Sequence, residues 1–170
     1  MDKLVTSRLA WLLLAFSALC LELAALYFQY GLQLDPCVLC VYERNAVALI
    51  FLAGVIGVIN PNLFVLRASG YLLWASGTIW GLYLTVKHSA IQMGLIEGSA
   101  SCDFVANYPS WIQLDKWIPW LFNPTGFCED IQWQFLGLSM PQSMVVINTI
   151  YLIVFVVVLK MEFRKGVTND

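Results

Sequence analysis

Four long apolar segments constrain the fold of this chain more than any other feature. They run over Leu9 to Tyr30, Cys40 to Ile59, Ser69 to Val86 and Ser143 to Leu159. An α-helix rises about 1.5 Å per residue, so about 20 apolar residues cross the hydrocarbon core of a bilayer. The sequence therefore predicts an all-α integral membrane protein: a four-transmembrane-helix bundle forming a single membrane domain over residues 1–170.

The composition favours lipid as the solvent of much of this chain. Of its 170 residues, 60% are hydrophobic and only 12% are charged, whereas soluble domains carry about 25% charged residues. The net charge of −2 argues against the basic surface that nucleic-acid-binding proteins need. We therefore expect the lipid bilayer, and no nucleic acid, among the partners.

Basic residues predict the orientation of the four segments. Those that flank the segments on one side are Lys3, Arg8, Arg67, Lys160, Arg164 and Lys165. Cytoplasmic loops carry an excess of Lys and Arg, so both termini are expected in the cytoplasm. Loops at about 31–39 and 88–142 then face outward, into the periplasm if the membrane is a bacterial inner membrane.

Five cysteines divide between two environments. Those expected on the outer, oxidising side are Cys37, Cys40, Cys102 and Cys128. Cys20 lies in the middle of the first segment, where we expect a small apolar core residue. Because the apolar run continues past Cys20 to Tyr30, we expect a retained helix and not a cleaved signal peptide.

Three interpretations of the outer cysteines stay open on spacing alone. Two structural disulfides would brace the long loop. A four-thiolate zinc site is disfavoured because Cys102 and Cys128 do not form a second close pair, as zinc sites usually require, and we expect no metal. The third interpretation is a redox relay, in which two disulfides exchange electrons.

Helical geometry at 35-DPCVLCVYER-44 favours the relay. Asp35 suits the N-cap of a helix and Pro36 its first position. At 3.6 residues per turn, Cys37, Cys40 and Arg44 lie within about 60° on one face. A helix N-terminus and a nearby guanidinium both stabilise thiolate, which a purely structural disulfide does not require.

Arg44 is expected one turn deeper in the membrane than Cys40. One interpretation is that its side chain extends to the interface or pairs with Glu43 or Glu22. The other is that it binds a polar or anionic group of a ligand dissolved in the membrane, since ionisable residues inside membranes are costly and commonly functional.

Two further patterns bear on the architecture. The segment 111-WIQLDKWIPWLF-122 places its apolar residues on one helical stripe and predicts a short interfacial helix on the outer leaflet. Gly77 and Gly81, four residues apart in the third segment, predict close contact with another helix.

Several strings together resemble the DsbB family of bacterial inner-membrane enzymes. They are 21-LELAALYFQ-29, 36-PCVLCVYER-44, 102-CDF-104, 114-LDKWIPWLF-122 and 133-WQFLGLSMPQ-142. The resemblance covers nearly the whole chain. It implies a thiol oxidase that reoxidises the periplasmic oxidant DsbA and passes the electrons to a membrane quinone, ubiquinone or menaquinone.

The resemblance also implies roles for individual residues. Cys37 and Cys40 match the quinone-linked pair, and Cys102 and Cys128 match the pair that meets DsbA. Cys102 would form the mixed disulfide with the partner, and Cys40 would contact the quinone. The same resemblance places Arg44 and His88 beside the quinone, although a lone histidine at an interface is often only a polar surface residue.

Two alternatives to this function remain at this point. A DsbB-like paralogue could serve another thioredoxin-like partner, because partner choice depends on surface detail in the loop. A non-catalytic membrane scaffold could use the disulfides only as braces. Quinone-dependent reoxidation of the thiols distinguishes the enzyme from the scaffold.

Overall fold

A computed structural model describes residues 6–96 and 106–167 of the chain. Its helices and strands, in chain order, are α1 (Arg8–Leu26), α2 (Val38–Ile59), α3 (Phe64–Gln92), α4 (Leu114–Trp117), α5 (Pro119–Phe122), β1 (Gln134–Phe135), β2 (Leu138–Ser139) and α6 (Met140–Val167). Helix α1 continues into a π-helical turn, Tyr27–Gly31. The two short strands form an antiparallel hairpin with Phe135 opposite Leu138.

The four long helices pack side by side around an aromatic core. Helix α2 packs against α1 and α3, and α3 also packs against α6. Trp11 of α1 lies 5.2 Å from Tyr71 of α3 between ring centroids, and Trp74 of α3 lies 5.5 Å from Phe155 of α6. Tilted and edge-on aromatic pairs of this kind bury large apolar area and hold one end of the bundle together.

Glycines let α3 approach two neighbouring helices closely. A Cβ at Gly77 would lie 2.7 Å from the carbonyl oxygen of Ala46 on α2, and one at Gly81 would lie 2.9 Å from Oδ1 of Asn148 on α6. Neither position has room for a side chain. The close contact predicted from the spacing of these glycines is confirmed.

Three helices in the described part of the chain are long and apolar enough to cross a membrane. They cover Arg8–Gly31, Val38–Ile59 and Met140–Arg164. Helix α3 is the longest, at 29 residues, but its Gly, Ser, Thr, Trp and Tyr residues dilute its hydropathy. The fourth span, at Ser69 to Val86, therefore stays a prediction.

Cys20 does not lie in the core. It is exposed on α1, on the same helix as the exposed Leu12, Leu13 and Phe16, whereas Ala18 is the buried residue nearby. The expectation of a buried Cys20 is wrong because a different face of α1, which includes Leu14 and Ala18, packs against the other helices. An apolar face of this kind is suited to contact with lipid.

The predicted interfacial helix is not continuous in the structure. Helices α4 and α5 have four residues each and meet at Ile118, whose φ of −135° and ψ of 63° are not helical. Proline lacks a backbone N–H and disfavours the helical conformation in the residue before it, so Pro119 ends one turn and begins the next. Trp117 and Trp120 are exposed.

Candidate functional site

The N-terminus of α2 begins two residues later than predicted. Cys37, and not Asp35, is the N-cap, and its Sγ accepts a hydrogen bond of 3.2 Å from the backbone N–H of Cys40. The carboxylate of Asp35 instead accepts a hydrogen bond of 3.0 Å from Oγ1 of Thr125. A contact with the distant loop thus replaces the local cap that the sequence favours.

The loop after α5 docks on this helix start through its backbone. The N–H groups of Thr125 and Gly126 donate to the carbonyl oxygen of Pro36 at 2.8 and 3.0 Å. A Cβ at Gly126 would overlap the carbonyl group of Asp35, so only glycine permits this approach. Two residues further on, Cys128 lies against the start of α2.

Three buried side chains converge at this contact. The Sγ atoms of Cys37 and Cys128 and a ring nitrogen of His88 all lie within 4.8 Å of one another. Cys37 is 2% exposed and Cys128 1%. Cys40 is half-buried, with its Sγ 2.8 Å from that of Cys37. The structure therefore brings a loop cysteine to the Cys-x-x-Cys pair.

The same cluster has donor atoms that a metal could use. Two thiolates and an imidazole suit a soft cation such as Zn²⁺, although the sequence pattern argued against a four-thiolate site. Cys102 lies outside the described residues.

His88 is buried and makes two polar contacts. Its Nδ1 lies 2.9 Å from Oε1 of Glu43, and its Nε2 lies 3.6 Å from Sγ of Cys37. An ionised Glu43 accepts the Nδ1 hydrogen, which leaves Nε2 facing the thiol. His88 is thus a member of the thiol cluster and not a surface residue.

Sequence reasoning considered Glu43 only as a partner of Arg44. The structure pairs it with His88, and Glu43 is 7% exposed. A usable signal was present, because Glu43 follows Cys40 by three residues and therefore lies on a neighbouring face of the same helix.

The environment of Cys37 disfavours its thiolate. Hydrogen bonding to Cys128 and to Cys40, together with burial, raises the pKa of the Cys37 thiol well above its usual range. At this residue these influences outweigh the thiolate-favouring effect that the helix N-terminus predicts. Cys37 retains its proton at neutral pH when the cluster is reduced.

Arg44 is buried, with three hydrogen-bond acceptors around its guanidinium. Its NH1 donates to Oε1 of Gln29 at 2.6 Å and to the carbonyl oxygen of Leu121 at 2.9 Å. Its NH2 donates to the carbonyl oxygen of Ala25 at 3.2 Å. The ion pairs considered from the sequence are replaced by this bridge between α1, α2 and the outer loop.

A mostly apolar cavity of about 320 Å³ lies beside these residues. Its walls come from α1, α2, α3, the outer loop and the start of α6, and include Phe28, Trp133 and Met144. Its polar lining includes Cys40, Glu43, Arg44, His88 and Glu22, together with Gln29, Gln92, Asp130 and Gln132. Pockets for small organic molecules have this size and this combination of apolar walls with a few polar groups.

Glu22 lines the cavity without a hydrogen bond to its Oε1 atom in the described part of the chain. Glu22 shares the cavity with Arg44 but forms no ion pair with it in the described part of the chain.

Comparisons with known proteins all find similarity to disulfide bond formation proteins. A family model described as disulfide bond formation protein DsbB matches residues 7–158. A protein of Psychromonas ingrahamii is 52% identical over 88% of this chain and 80% of its own length, and one of Aeromonas hydrophila is 48% identical over 96% and 94%. One of Haemophilus influenzae is 43% identical over 93% and 89%. All three are named disulfide bond formation protein B.

Proposed function

Because this chain belongs to the DsbB family of membrane proteins for disulfide bond formation, we propose that it is a quinone-dependent thiol oxidase of the bacterial inner membrane. Its electron donor is a DsbA-like periplasmic protein, and its electron acceptor is ubiquinone or menaquinone. Both termini lie in the cytoplasm, and the four outer cysteines face the periplasm.

The observation that carries this proposal is the position of Cys128. Its Sγ lies within 4.8 Å of that of Cys37, although 90 residues separate the two in the sequence. A scaffold braced by two separate disulfides has no need to bury one cysteine of the loop pair against the helix pair. A relay requires this contact, because thiol–disulfide exchange proceeds by direct attack of one sulfur on another.

The relay begins at the loop pair. A cysteine of the partner attacks the Cys102–Cys128 disulfide at Cys102 and releases Cys128 as a thiolate. Cys128 then attacks Cys37 of the Cys37–Cys40 disulfide, and Cys40 leaves as a thiolate. The partner's second cysteine attacks the mixed disulfide and the partner leaves with its own disulfide closed. The freed Cys102 attacks Cys128, so that the loop disulfide re-forms and Cys37 is released as a thiol beside Cys40. The role of Cys102 in this sequence comes from its match to the family motif.

Cys40 connects the cluster to the cavity. Cys37 and Cys40 both line the cavity, whereas Cys128 does not. Cys37 is buried and Cys40 only half-buried, so Cys40 is the more accessible sulfur for a membrane-dissolved oxidant. A quinone bound there would supply the two-electron, two-proton acceptor that oxidation of the Cys37 and Cys40 thiols requires. Closing the Cys37–Cys40 disulfide again returns the helix pair to its starting state.

The residues around the cavity fit a quinone. Apolar side chains on α1 and α6 suit an isoprenoid tail, and a guanidinium has five N–H donors, three of which Arg44 uses in the contacts described above. Donors therefore remain for a quinone carbonyl oxygen, and the cavity supplies His88 as a further polar group.

The test is reoxidation of the reduced protein in detergent with a short-chain quinone. We expect the thiol count to fall, and the quinone absorbance to change, much faster than in a sample without quinone. A second arm adds a reduced DsbA-like protein in excess, which should be oxidised catalytically.

Each arm has an outcome that contradicts the proposal. Equal rates of reoxidation with and without quinone would contradict the enzyme and support the non-catalytic membrane scaffold. Quinone-dependent reoxidation without turnover of the DsbA-like protein would indicate a different thioredoxin-like partner.

A further inference from the structure

We propose that Cys37, Cys128 and His88 form a binding site for a thiophilic divalent cation such as Zn²⁺ in the fully reduced protein, and that the bound cation stops the relay. The binding depends only on the geometry of these three side chains. The regulatory part rests on the proposed function, because it concerns the thiols that quinone would otherwise reoxidise.

The distances among the three donor atoms match a tetrahedral metal site. Zinc binds thiolate sulfur at about 2.3 Å and imidazole nitrogen at about 2.0–2.1 Å, so a sulfur and a nitrogen on one tetrahedral ion lie about 3.5 Å apart. The Sγ of Cys37 lies 3.6 Å from Nε2 of His88, and all three donors lie within 4.8 Å of one another. One ion therefore reaches all three with small side-chain movements.

Glu43 supplies the contact that metal-binding histidines usually have. Its Oε1 lies 2.9 Å from Nδ1 of His88, the ring nitrogen that does not face Cys37. A metal-bound histidine almost always donates its other ring N–H to a carboxylate, a backbone carbonyl or water, which fixes the ring and strengthens the remaining nitrogen as a ligand. This contact points to an ion at Nε2 independently of the sulfur distances.

The charges of the bound state balance. Burial lowers the pKa of His88, but the hydrogen bond and the charge of Glu43 outweigh burial and raise it to about 9. The cation therefore displaces a proton from Nε2 as well as one from each thiol, as metal ions do at such ligands. A divalent cation, two thiolates, the Glu43 carboxylate and the Arg44 guanidinium, which interacts with Cys37, then sum to zero, as a buried site requires.

Cys40 is not needed as a ligand. Its Sγ lies 2.8 Å from that of Cys37, whereas two sulfurs on one tetrahedral zinc ion lie about 3.8 Å apart. Three protein ligands leave one coordination position for water, and the cavity beside Cys37 and His88 has room for it. The site therefore differs from the four-thiolate site that the cysteine spacing argued against.

The site exists only when both of its sulfurs are reduced. A disulfide at Cys37 or at Cys128 removes a ligand, since the thiolate is the form that binds metal. The cation replaces protons and transfers no electrons. While it is bound, neither sulfur can attack or form a disulfide, so the relay stops with its electrons retained until the ion leaves.

The first experiment titrates Co²⁺, and then Zn²⁺, into reduced protein without a histidine tag under anaerobic conditions. We expect one Co²⁺ per chain, with the ultraviolet charge-transfer band of a cobalt–thiolate bond, and loss of that band when Zn²⁺ displaces Co²⁺. Cys128→Ser and His88→Ala should each abolish this stoichiometric binding. Glu43→Gln should bind about 10–100-fold more weakly, as is usual when the partner of a metal-bound histidine is lost. The matched control Cys20→Ser removes an exposed cysteine of α1 and should bind as wild type does.

The second experiment measures the effect on the thiols. Reduced wild type is loaded with Zn²⁺ and mixed with a short-chain quinone, with and without EDTA. We expect reoxidation to slow in proportion to the fraction of protein that holds the ion and to recover fully with EDTA. Protein oxidised beforehand should show no cobalt–thiolate band.

The outcomes separate this inference from the proposed function. A reduced wild type that binds no Co²⁺, or binding that persists in His88→Ala, would overturn the site, and binding lost in Cys102→Ser but kept in His88→Ala would indicate four thiolates instead. Binding that leaves reoxidation unchanged would overturn the regulatory part. Metal-free wild type that quinone does not reoxidise would contradict the proposed function alone, because the cobalt titration uses no quinone. Should His88→Ala fail to fold, an unchanged affinity in the near-isosteric Glu43→Gln would overturn the site.

Discussion

Replacing Gly126 with alanine is expected to separate Cys128 from Cys37. The added Cβ would overlap the carbonyl oxygen of Asp35 and lie 3.0 Å from its carbonyl carbon, whereas carbon atoms pack at about 3.5–4.0 Å. The obstacle is backbone, which cannot rotate away as a side chain can. The loop must therefore move off the start of α2.

The magnitude follows from the contacts that this movement breaks. The N–H groups of Thr125 and Gly126 donate to Pro36 at 2.8 and 3.0 Å, and each such bond is worth about 0.5–1.5 kcal/mol. Losing both costs about 1–3 kcal/mol, and 1.4 kcal/mol corresponds to a factor of ten. The ratio of docked to undocked loop should fall about 5- to 150-fold, and disulfide formation from the docked state should slow by up to the same factor.

The assay traps the Cys37–Cys128 disulfide in a background with Cys40 and Cys102 replaced by serine. A mild oxidant is added, and the cross-linked form is followed by its mobility on a non-reducing gel. The matched control is Gly94→Ala, which carries the penalty of a positive φ but whose Cβ meets nothing within 4 Å. If the Gly126 variant cross-links as fast as the control, the docked loop is not the reacting arrangement.

Three further predictions test other parts of the site. Cys128→Ser leaves Cys102 as a free thiol, which should attack the disulfide of an oxidised DsbA-like protein and accumulate as a covalent complex; peptide mapping that finds no such adduct would remove the role of Cys102. Arg44→Lys keeps the charge but has three N–H donors in place of five, so the three protein acceptors leave none for the quinone and KM for quinone should rise about tenfold or more, as expected for loss of a charged hydrogen bond; an unchanged KM would leave Arg44 as a structural bridge only. Because the pKa of Cys37 is raised, alkylation of this residue in the reduced protein, followed by mass spectrometry, should have a midpoint above the value of about 8.5 for free cysteine; a midpoint at or below that value would contradict the buried, hydrogen-bonded thiol.

The sequence by itself determined the features that depend on neighbours along the chain. Apolar runs of about 20 residues predict helices whatever surrounds them, and the described helices cover all four segments. The spacing of Gly77 and Gly81 predicted close packing, and the face shared by Cys37, Cys40 and Arg44 follows from helical periodicity alone.

Local patterns failed where a distant segment competed with them. Asp35 is a good N-cap in isolation, but Thr125 takes its carboxylate, and Cys37 caps the helix in its place. In the outer loop the apolar stripe predicted one helix, whereas Pro119 divides it into two turns. Apolar periodicity takes no account of the missing backbone N–H of proline. In so short a segment, the loss of that hydrogen-bond donor affects helix formation more than the apolar stripe does.

Only the tertiary structure decided which side chains form the site. Glu43 meets His88 from 45 positions away in the sequence, and Cys128 meets Cys37 from 91 positions away. Contacts of this separation depend on how helices and loops pack, and no spacing rule within one helix predicts them. The sequence therefore determined that a Cys-x-x-Cys pair opens a helix with Arg44 on the same face. The packing of α2, α3 and the outer loop decided that Cys128, His88 and Glu43 lie beside that pair.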